Sequence, residues 1–194
     1  MAWTMAELVR NRRALKKCQE EVRKIAGKKG QVDEDDVPKL EYLKAAVKEA
    51  MRLHPPLPLL IPRVCTQQCQ VDGYDILPGT FLIINSWAIG RDPEAWDGPL
   101  DQFLPERFLN SSITYKGQHF ELLPFGSGRR GCPGIHFAPP LIELALANLL
   151  YTFDWELPVD HDCEAKEIPV DIAEVTGLVN LPESNLYVPI IKHI

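Results

Sequence analysis

The sequence predicts a mainly α fold with small β-sheets, and three observations support this. Apolar residues recur at helical spacing near the start of the chain and again after residue 136. Short apolar or alternating segments bounded by Pro and Gly lie between these helices and after them. The chain has 194 residues, 45% hydrophobic and 25% charged, which suffices for one domain with a core. We therefore expect one α+β domain.

The first two helices are predicted from periodicity and from the residues at their ends. Residues 2–26 keep an apolar stripe with a charged opposite face, and a break is expected near Asn11. A second helix is expected to open at Pro38, because proline is tolerated in a first helical turn. The HPP sequence at 54–56 ends this second helix.

The third predicted helix follows a glycine-rich loop. Residues 136–151 are apolar almost all round, so this helix is expected to be deeply buried. Pro139 and Pro140 must lie in its first turns or kink it. Strands are expected in CQVDGYDI, in TFLIIN and in NLYVPII, each bounded by turn residues or by the end of the chain.

Charge, hydropathy and cysteine usage limit the possible functions. The net charge of −6 argues against a nucleic-acid binder, since such proteins carry a basic surface. No run of 18 apolar residues occurs, so no membrane span is expected in these residues. The five cysteines form no disulfide framework, which indicates reduced thiols facing the cytosol. Cys65 and Cys69 could begin a zinc site, but two buried or surface thiols are favoured because no second Cys/His pair follows at finger-like spacing.

Residues 126–134, GSGRRGCPG, are the most unusual stretch of the sequence. They match the dinucleotide fingerprint G-x-G-x-x-G, and Gly126 and Gly131 also have phosphate-loop spacing. A phosphate loop needs Lys and Ser or Thr where Cys132 and Pro133 stand, and a dinucleotide loop needs an uninterrupted helix there. A nucleotide-binding module on this loop is therefore the weaker hypothesis.

The cysteine of this loop favours a metal-bearing cofactor. Cys132 is expected just before a helix, whose N-terminal N–H groups favour an anion, and Arg129 and Arg130 add positive charge. These features favour a thiolate, which is a strong ligand for soft metal ions. The glycines allow a flat cofactor to approach the backbone, and the arginines can bind its carboxylates. The alternative is a glycine-rich turn with a free cysteine.

Three motifs together carry a resemblance to a known family. FGSGRRGCPG at 125–134 fits the haem-binding signature F-x-x-G-x-R-x-C-x-G of the cytochrome P-450 monooxygenases. Its fixed places are Phe125, Gly128, Arg130, Cys132 and Gly134. EAMR at 49–52 and PERF at 105–108 resemble the family's E-x-x-R motif and its partner motif. KLEYLKAAVKEAMRLHPP, NSWAIGRDPEAW and FDWELP are similar to the plant microsomal branch, so the resemblance covers essentially the whole chain.

The resemblance implies the C-terminal part of the cytochrome P-450 fold, with its proximal haem-binding loop and the buried helix that follows. Cys132 would then be the axial ligand of haem b, iron protoporphyrin IX. Arg130 would contact a haem propionate, and Arg63 is a second propionate candidate whose alternative is a surface arginine. Phe125 would pack near the thiolate and limit its solvation.

A structural brace behind the haem is expected from two of the motifs. Glu49 and Arg52 are three residues apart and therefore lie on one helix face, where they can pair. A carboxylate has room for a second guanidinium, which Arg107 would supply. The resemblance implies such a Glu–Arg–Arg network, and the alternative is a solvated surface pair.

The function implied by the resemblance is a haem-thiolate monooxygenase that inserts one oxygen atom from O₂ into an organic substrate. Its electrons would come from an NADPH-cytochrome reductase. Residues 58–60 and 176–178 would line the substrate site or form ordinary core, and both are apolar enough for an apolar small molecule. A plant secondary metabolite such as a terpenoid, alkaloid or phenylpropanoid is implied. The full-length protein would lie on the cytosolic face of the endoplasmic reticulum membrane.

The chain departs from the family's pattern at its start. TMAELVRN resembles the end of the family's distal helix, so its oxygen-handling acid/alcohol pair would lie upstream of Met1, with the membrane anchor. We expect residues 1–194 to be the C-terminal portion of a single domain, with no distal catalytic residues and no activity alone. A truncated, non-catalytic haem-binding remnant is the alternative.

Overall fold

The structure is a computed structural model, which describes residues 1–156, 159–160, 166–167, 182 and 190–192. It confirms the mainly α fold with small β-sheets. The helices in this part of the chain are α1 (Ala2–Arg10), α2 (Arg12–Ala26), α3 (Glu41–Leu53), α4 (Ser86–Ile89) and α5 (Ala138–Thr152). The strands are β1 (Arg63–Val64), β2 (Cys69–Val71), β3 (Tyr74–Ile76), β4 (Phe81–Leu82), β5 (Phe153–Trp155), β6 (Val159–Asp160), β7 (Lys166–Glu167) and β8 (Ile190–Lys192).

The strands form small antiparallel pairs. β1 pairs with β4, β2 with β3, β5 with β8, and β6 with β7. The predicted strand segment CQVDGYDI is the β2–β3 hairpin, in which Val71 pairs with Tyr74 across a tight turn. That turn uses Asp72 and Gly73, both at positive φ, a geometry that glycine adopts without strain.

The predicted break near Asn11 is confirmed. α1 ends at Arg10 and α2 begins at Arg12, with Asn11 as the cap between them. The Asn11 side chain accepts a hydrogen bond from the Ala14 N–H at 3.1 Å and donates to the Phe103 carbonyl at 3.2 Å. The side chain therefore caps α2 and also fixes a distant loop against it.

The prediction that a helix opens at Pro38 is wrong. Val37–Lys39 is only a 3-10 turn, and α3 begins at Glu41. The reason is a cap supplied from elsewhere in the chain: the Glu21 carboxylate of α2 accepts the N–H groups of Tyr42 at 2.8 Å and Leu43 at 3.0 Å. These N–H groups have no partner within a helix, so the carboxylate fixes where α3 starts.

Helix α5 follows the glycine loop, two residues later than predicted. Its prolines lie in the first turn, where the missing N–H costs nothing. One face is buried in the core by Leu146, Ala147 and Leu150. Leu141 near its start is 53% exposed, so the predicted deep burial holds for one face only.

The main core lies between α1, α2, α3 and α5, where apolar side chains of all four helices form one cluster. A smaller cluster joins Ala45 of α3 to Trp96, Phe108 and Leu122 of the following loops. Helix α3 therefore packs on both clusters. No helix in the described residues combines the length and the apolar character needed to cross a bilayer.

Candidate haem-binding site

Glu49 and Arg52 form a buried ion pair on α3. Arg52 Nε donates to Glu49 Oε2 at 2.8 Å, and Arg52 Nη2 donates to Glu49 Oε1 at 2.9 Å. Neither side chain has any exposed surface. The pair is bidentate, the strongest geometry between these two groups.

Arg107 is the third member of this cluster, which we call the brace (Glu49, Arg52 and Arg107). It lies in the 3-10 turn Pro105–Phe108, and its Nε donates to Glu49 Oε1 at 3.2 Å. Its two terminal nitrogens donate to the carbonyls of Asp97 and Pro99. The brace therefore joins α3 to two loops about 50 residues further along the chain.

Backbone groups complete the brace, and no sequence pattern predicts them. The Leu104 N–H donates to Glu49 Oε1 at 3.0 Å, and Arg52 Nη1 donates to the Gly90 carbonyl at 2.6 Å. The Trp96 ring lies 5.5 Å from the Arg52 guanidinium. Any residue carries these backbone groups, so motif spacing alone cannot identify them.

A second charged cluster lies beside the brace. It is centred on Glu106, which precedes Arg107 in the 3-10 turn Pro105–Phe108. Glu106 accepts hydrogen bonds from Arg13, from Lys17 at 2.8 Å and from the Tyr42 hydroxyl at 3.0 Å. Burial acts to raise the pKa of Glu106, but these hydrogen bonds outweigh it and hold the pKa at about 2. Burial and the contact with Glu106 also raise the pKa of Tyr42. This cluster fastens α2 to the turn that carries Arg107.

The cysteine loop, residues 125–134, folds back on itself. The Cys132 N–H donates to the Phe125 carbonyl at 2.8 Å, so the two ends of the loop meet. Gly126 and Gly128 adopt positive φ angles of 67° and 68°, in the left-handed region that favours glycine. Cys132 precedes a 3-10 turn, Pro133–His136, and not α5 itself. Its side chain is exposed.

Two residues of the segment before the loop, Tyr115 and Gly117, contact the loop. The Tyr115 ring lies 5.6 Å from the Phe125 ring, and the Ser127 hydroxyl donates to the Gly117 carbonyl at 2.7 Å. Burial, and then the charge of Glu143, raise the pKa of Tyr115, which keeps it a neutral phenol. The ring partner of Phe125 in the structure is therefore Tyr115.

The loop fits a flat group with a soft metal ion and acidic edges. The space above Gly126 and Gly128 is open, because a Cβ on either would meet no atom within 4 Å. A Cβ on Gly134 would lie 3.5 Å from Cys132 Sγ and would cover one side of the thiol. An exposed thiol beside glycines leaves room for a metal-centred planar ligand.

Three arginine side chains are available to anionic groups. Arg129 and Arg130 are exposed, and Arg63 is half-buried on β1, opposite Leu82 of β4. Within the described part of the chain, none of these three guanidiniums makes a hydrogen bond or ion pair. No hydrogen bond connects Arg63 to the cysteine loop among those residues. Carboxylates are the groups that such guanidiniums bind best.

The two segments proposed to line a substrate site differ in what the structure shows. Leu59 is 48% exposed, whereas Leu60 is buried and has a positive φ of 50°. Residues 176–178 lie outside the described residues. Among the described residues, no three His, Cys, Asp or Glu side chains cluster as a metal site.

The loop lacks the framework of a nucleotide site. Residues 121–125 form turns and irregular backbone, and the 3-10 turn Gly128–Arg130 occupies the middle of GSGRRG. A dinucleotide site requires a strand before the glycines and a helix running on from them. This geometry disfavours the nucleotide-binding hypothesis.

Comparison with known proteins gives a consistent result. A sequence model of the family described as Cytochrome P450 matches residues 1–185. Over 96% of the chain the sequence is 52% identical to cytochrome P450 71AP13 of Prunus mume. Over 97% of the chain it is 52% identical to (+)-menthofuran synthase of Mentha piperita. The chain spans 35% and 37% of the lengths of these two relatives.

Solved structures show the same similarity in three dimensions. A zebrafish cytochrome P450 with abiraterone superposes with a TM-score of 0.84 at 32% identity, covering 100% of this chain and 44% of that one. A zebrafish cytochrome P450 with progesterone gives a TM-score of 0.81 at 31% identity, covering 98% and 40% of the two chains.

Proposed function

Because this chain belongs to the cytochrome P450 family, we propose that residues 1–194 are the C-terminal portion of one haem-thiolate monooxygenase domain. The whole protein would insert one oxygen atom from O₂ into an organic substrate. The observation that carries the proposal is the exposed Cys132 thiol, set in an open glycine loop whose ends are joined by the Phe125–Cys132 hydrogen bond.

Cys132 would hold the iron of haem b through its sulfur, and Arg130 and Arg63 would bind the propionates. Haem held by a cysteine thiolate supplies O₂ activation, using two electrons delivered by a reductase. Gly128 and Gly134 would leave room for the porphyrin on the protein side. The fit rests on the open space at the glycines and on the guanidiniums that have no partner among the described residues.

The loop's own contacts would orient the thiolate. The Phe125 carbonyl holds the Cys132 N–H, so the backbone at the sulfur is fixed before any ligand binds. Tyr115 packs on the Phe125 ring from the side of the protein. The brace would fix α3 and the turn of Arg107 relative to one another.

Substrate and partners follow from the same proposal. The substrate would be an apolar small molecule of the plant secondary-metabolite class. The relative named for (+)-menthofuran synthesis supports a small organic substrate of this class. An NADPH-cytochrome reductase would supply electrons, and an anchor in the longer protein would place it on the endoplasmic reticulum membrane. This chain alone would not turn over substrate.

The absorption spectrum of the reduced, carbon-monoxide-bound chain with added haem tests the proposal. We expect a strongly red-shifted Soret band that is lost in Cys132→Ala and retained in Cys69→Ser, which removes another exposed cysteine. A band that survives Cys132→Ala would show that another residue ligates the iron. If no band forms, the same pair of variants in the longer protein decides whether Cys132 is the ligand.

A further inference from the structure

The free thiols of Cys65 and Cys69 lie side by side. Their sulfur atoms are 3.8 Å apart and share a hydrogen bond. Cys65 Sγ also donates to the Gln67 carbonyl at 2.8 Å, so the intervening loop wraps around this sulfur. The sulfur–sulfur distance in a disulfide is about 2.05 Å. The two sulfur atoms would therefore have to move closer by about 1.8 Å to form one.

The backbone on each side holds the two thiols in place. The Cys65 N–H donates to the Thr80 carbonyl at 2.9 Å, and the Cys65 carbonyl accepts from the Gly79 N–H at 2.8 Å. Cys69 is the first residue of β2 and pairs with Ile76 of β3. The dithiol therefore connects the β1–β4 pair to the β2–β3 hairpin.

The two thiols differ in access to solvent. Cys69 is exposed, whereas Cys65 is buried at 9% exposure. An exposed thiol meets an oxidant first, and a neighbouring thiol then resolves the product. Access to solvent therefore decides which thiol reacts first, since the hydrogen bond with Cys65 raises the pKa of Cys69 and does not activate it.

We propose that Cys65 and Cys69 form a redox-modifiable dithiol that a small-molecule disulfide converts to an intramolecular disulfide. The Cys69 thiolate attacks one sulfur of the oxidant, forming a mixed disulfide and releasing one small thiol. Cys65 then loses its proton and attacks Cys69 Sγ, which expels the second small thiol. The protein loses two electrons and two protons, and the small disulfide gains both.

This chemistry is independent of haem and of the proposed monooxygenase function. Cys65 directly follows β1, the strand that carries Arg63. The disulfide would therefore form two residues from a propionate candidate. The proposal can be tested on the chain without any cofactor, and its outcome does not depend on that of the haem spectrum.

The test uses oxidised and reduced glutathione as the redox couple and mass spectrometry as the readout. Trypsin releases residues 64–91, which contain Cys65 and Cys69 and no other cysteine. After alkylation of remaining thiols, we expect this peptide to be recovered as the internal disulfide. Cys69→Ser should abolish that species, and the peptide with Cys132 should be recovered alkylated or glutathionylated, without an internal link.

The proposal requires that the folded state favour the Cys65–Cys69 disulfide more than the unfolded chain does. We expect the equilibrium constant for disulfide formation to be at least about tenfold larger in the folded chain than in concentrated urea, because the fold holds the sulfurs together. Circular dichroism confirms which state is measured. An equal or smaller constant in the folded chain, or recovery of the peptide with both thiols alkylated, overturns the proposal.

Discussion

Arg52 and Gly90 touch at two points. Arg52 Nη1 donates to the Gly90 carbonyl at 2.6 Å, and a Cβ added to Gly90 would lie 2.6 Å from the Arg52 backbone oxygen. Real Cβ atoms do not approach an oxygen so closely, and a backbone oxygen cannot rotate away. The absence of a side chain at Gly90 therefore allows the chain after α4 to dock on the end of α3.

Gly90→Ala is expected to destabilise the fold by about 1–3 kcal/mol, the usual cost of overpacking a buried site. The added methyl group would push the segment away from α3 and break the bond to Arg52. Urea unfolding followed by circular dichroism measures the loss. Ala88→Ser, on an exposed position of α4, should change the free energy of unfolding by less than about 0.5 kcal/mol. Equal stability of Gly90→Ala and the parent chain would contradict this close contact.

Glu49→Gln is expected to cost about 3–5 kcal/mol, because it leaves the guanidiniums of Arg52 and Arg107 buried without a countercharge. The amide can still accept hydrogen bonds, so the loss reports on charge more than on shape. The same unfolding measurement applies. In a full-length relative, the variant should also reduce haem retention.

The matched control for Glu49→Gln is Glu41→Gln at the exposed start of the same helix. Glu41 is exposed and makes no ion pair with the residues that the structure describes, so its expected contribution is that of an acid near the helix N-terminus, about 0.3–1 kcal/mol. If both variants lose the same small amount of unfolding free energy, the brace is a solvated pair in solution.

The parts of the fold that depend on local signals could be predicted from the sequence. The break at Asn11 and the stop at HPP follow from the local preferences of asparagine and proline. The β2–β3 turn uses an Asp-Gly pair between short alternating segments, a strong hairpin signal. Helix spacing predicted that Glu49 and Arg52 would pair. Arg107 was predicted from the resemblance of PERF at 105–108 to the family's partner motif.

The parts that depend on tertiary contacts could not be predicted. The start of α3 is set by Glu21, a side chain of another helix, so Pro38 was a misleading local signal. Gly90 gave no signal because its importance lies in a contact with Arg52, 38 residues away. The meeting of Cys65 and Cys69 likewise depends on strand pairing that short segments do not specify.

Glu106 predicts a specific dependence of stability on pH. Its pKa is about 2 in the folded chain, below the ordinary 4.5 of an unfolded glutamate. A lowered folded-state pKa contributes stability that is complete above about pH 4.5 and is lost as the pH falls toward 2. The side chain is 33% exposed, so solvent screening limits the contribution to about 1 kcal/mol.

Glu106→Gln should therefore be less stable than the parent chain at pH 6, and the difference should shrink steadily between pH 5 and pH 2, roughly. Comparing the two chains at each pH removes the contributions of other acidic groups, such as Asp36. Glu20→Gln serves as the control, because Glu20 is exposed and lies 3.8 Å from its partner Lys16. A difference that stays constant across this pH range would mean that Arg13, Lys17 and Tyr42 do not hold the Glu106 carboxylate, and that α2 is fastened to the turn of Arg107 by packing alone.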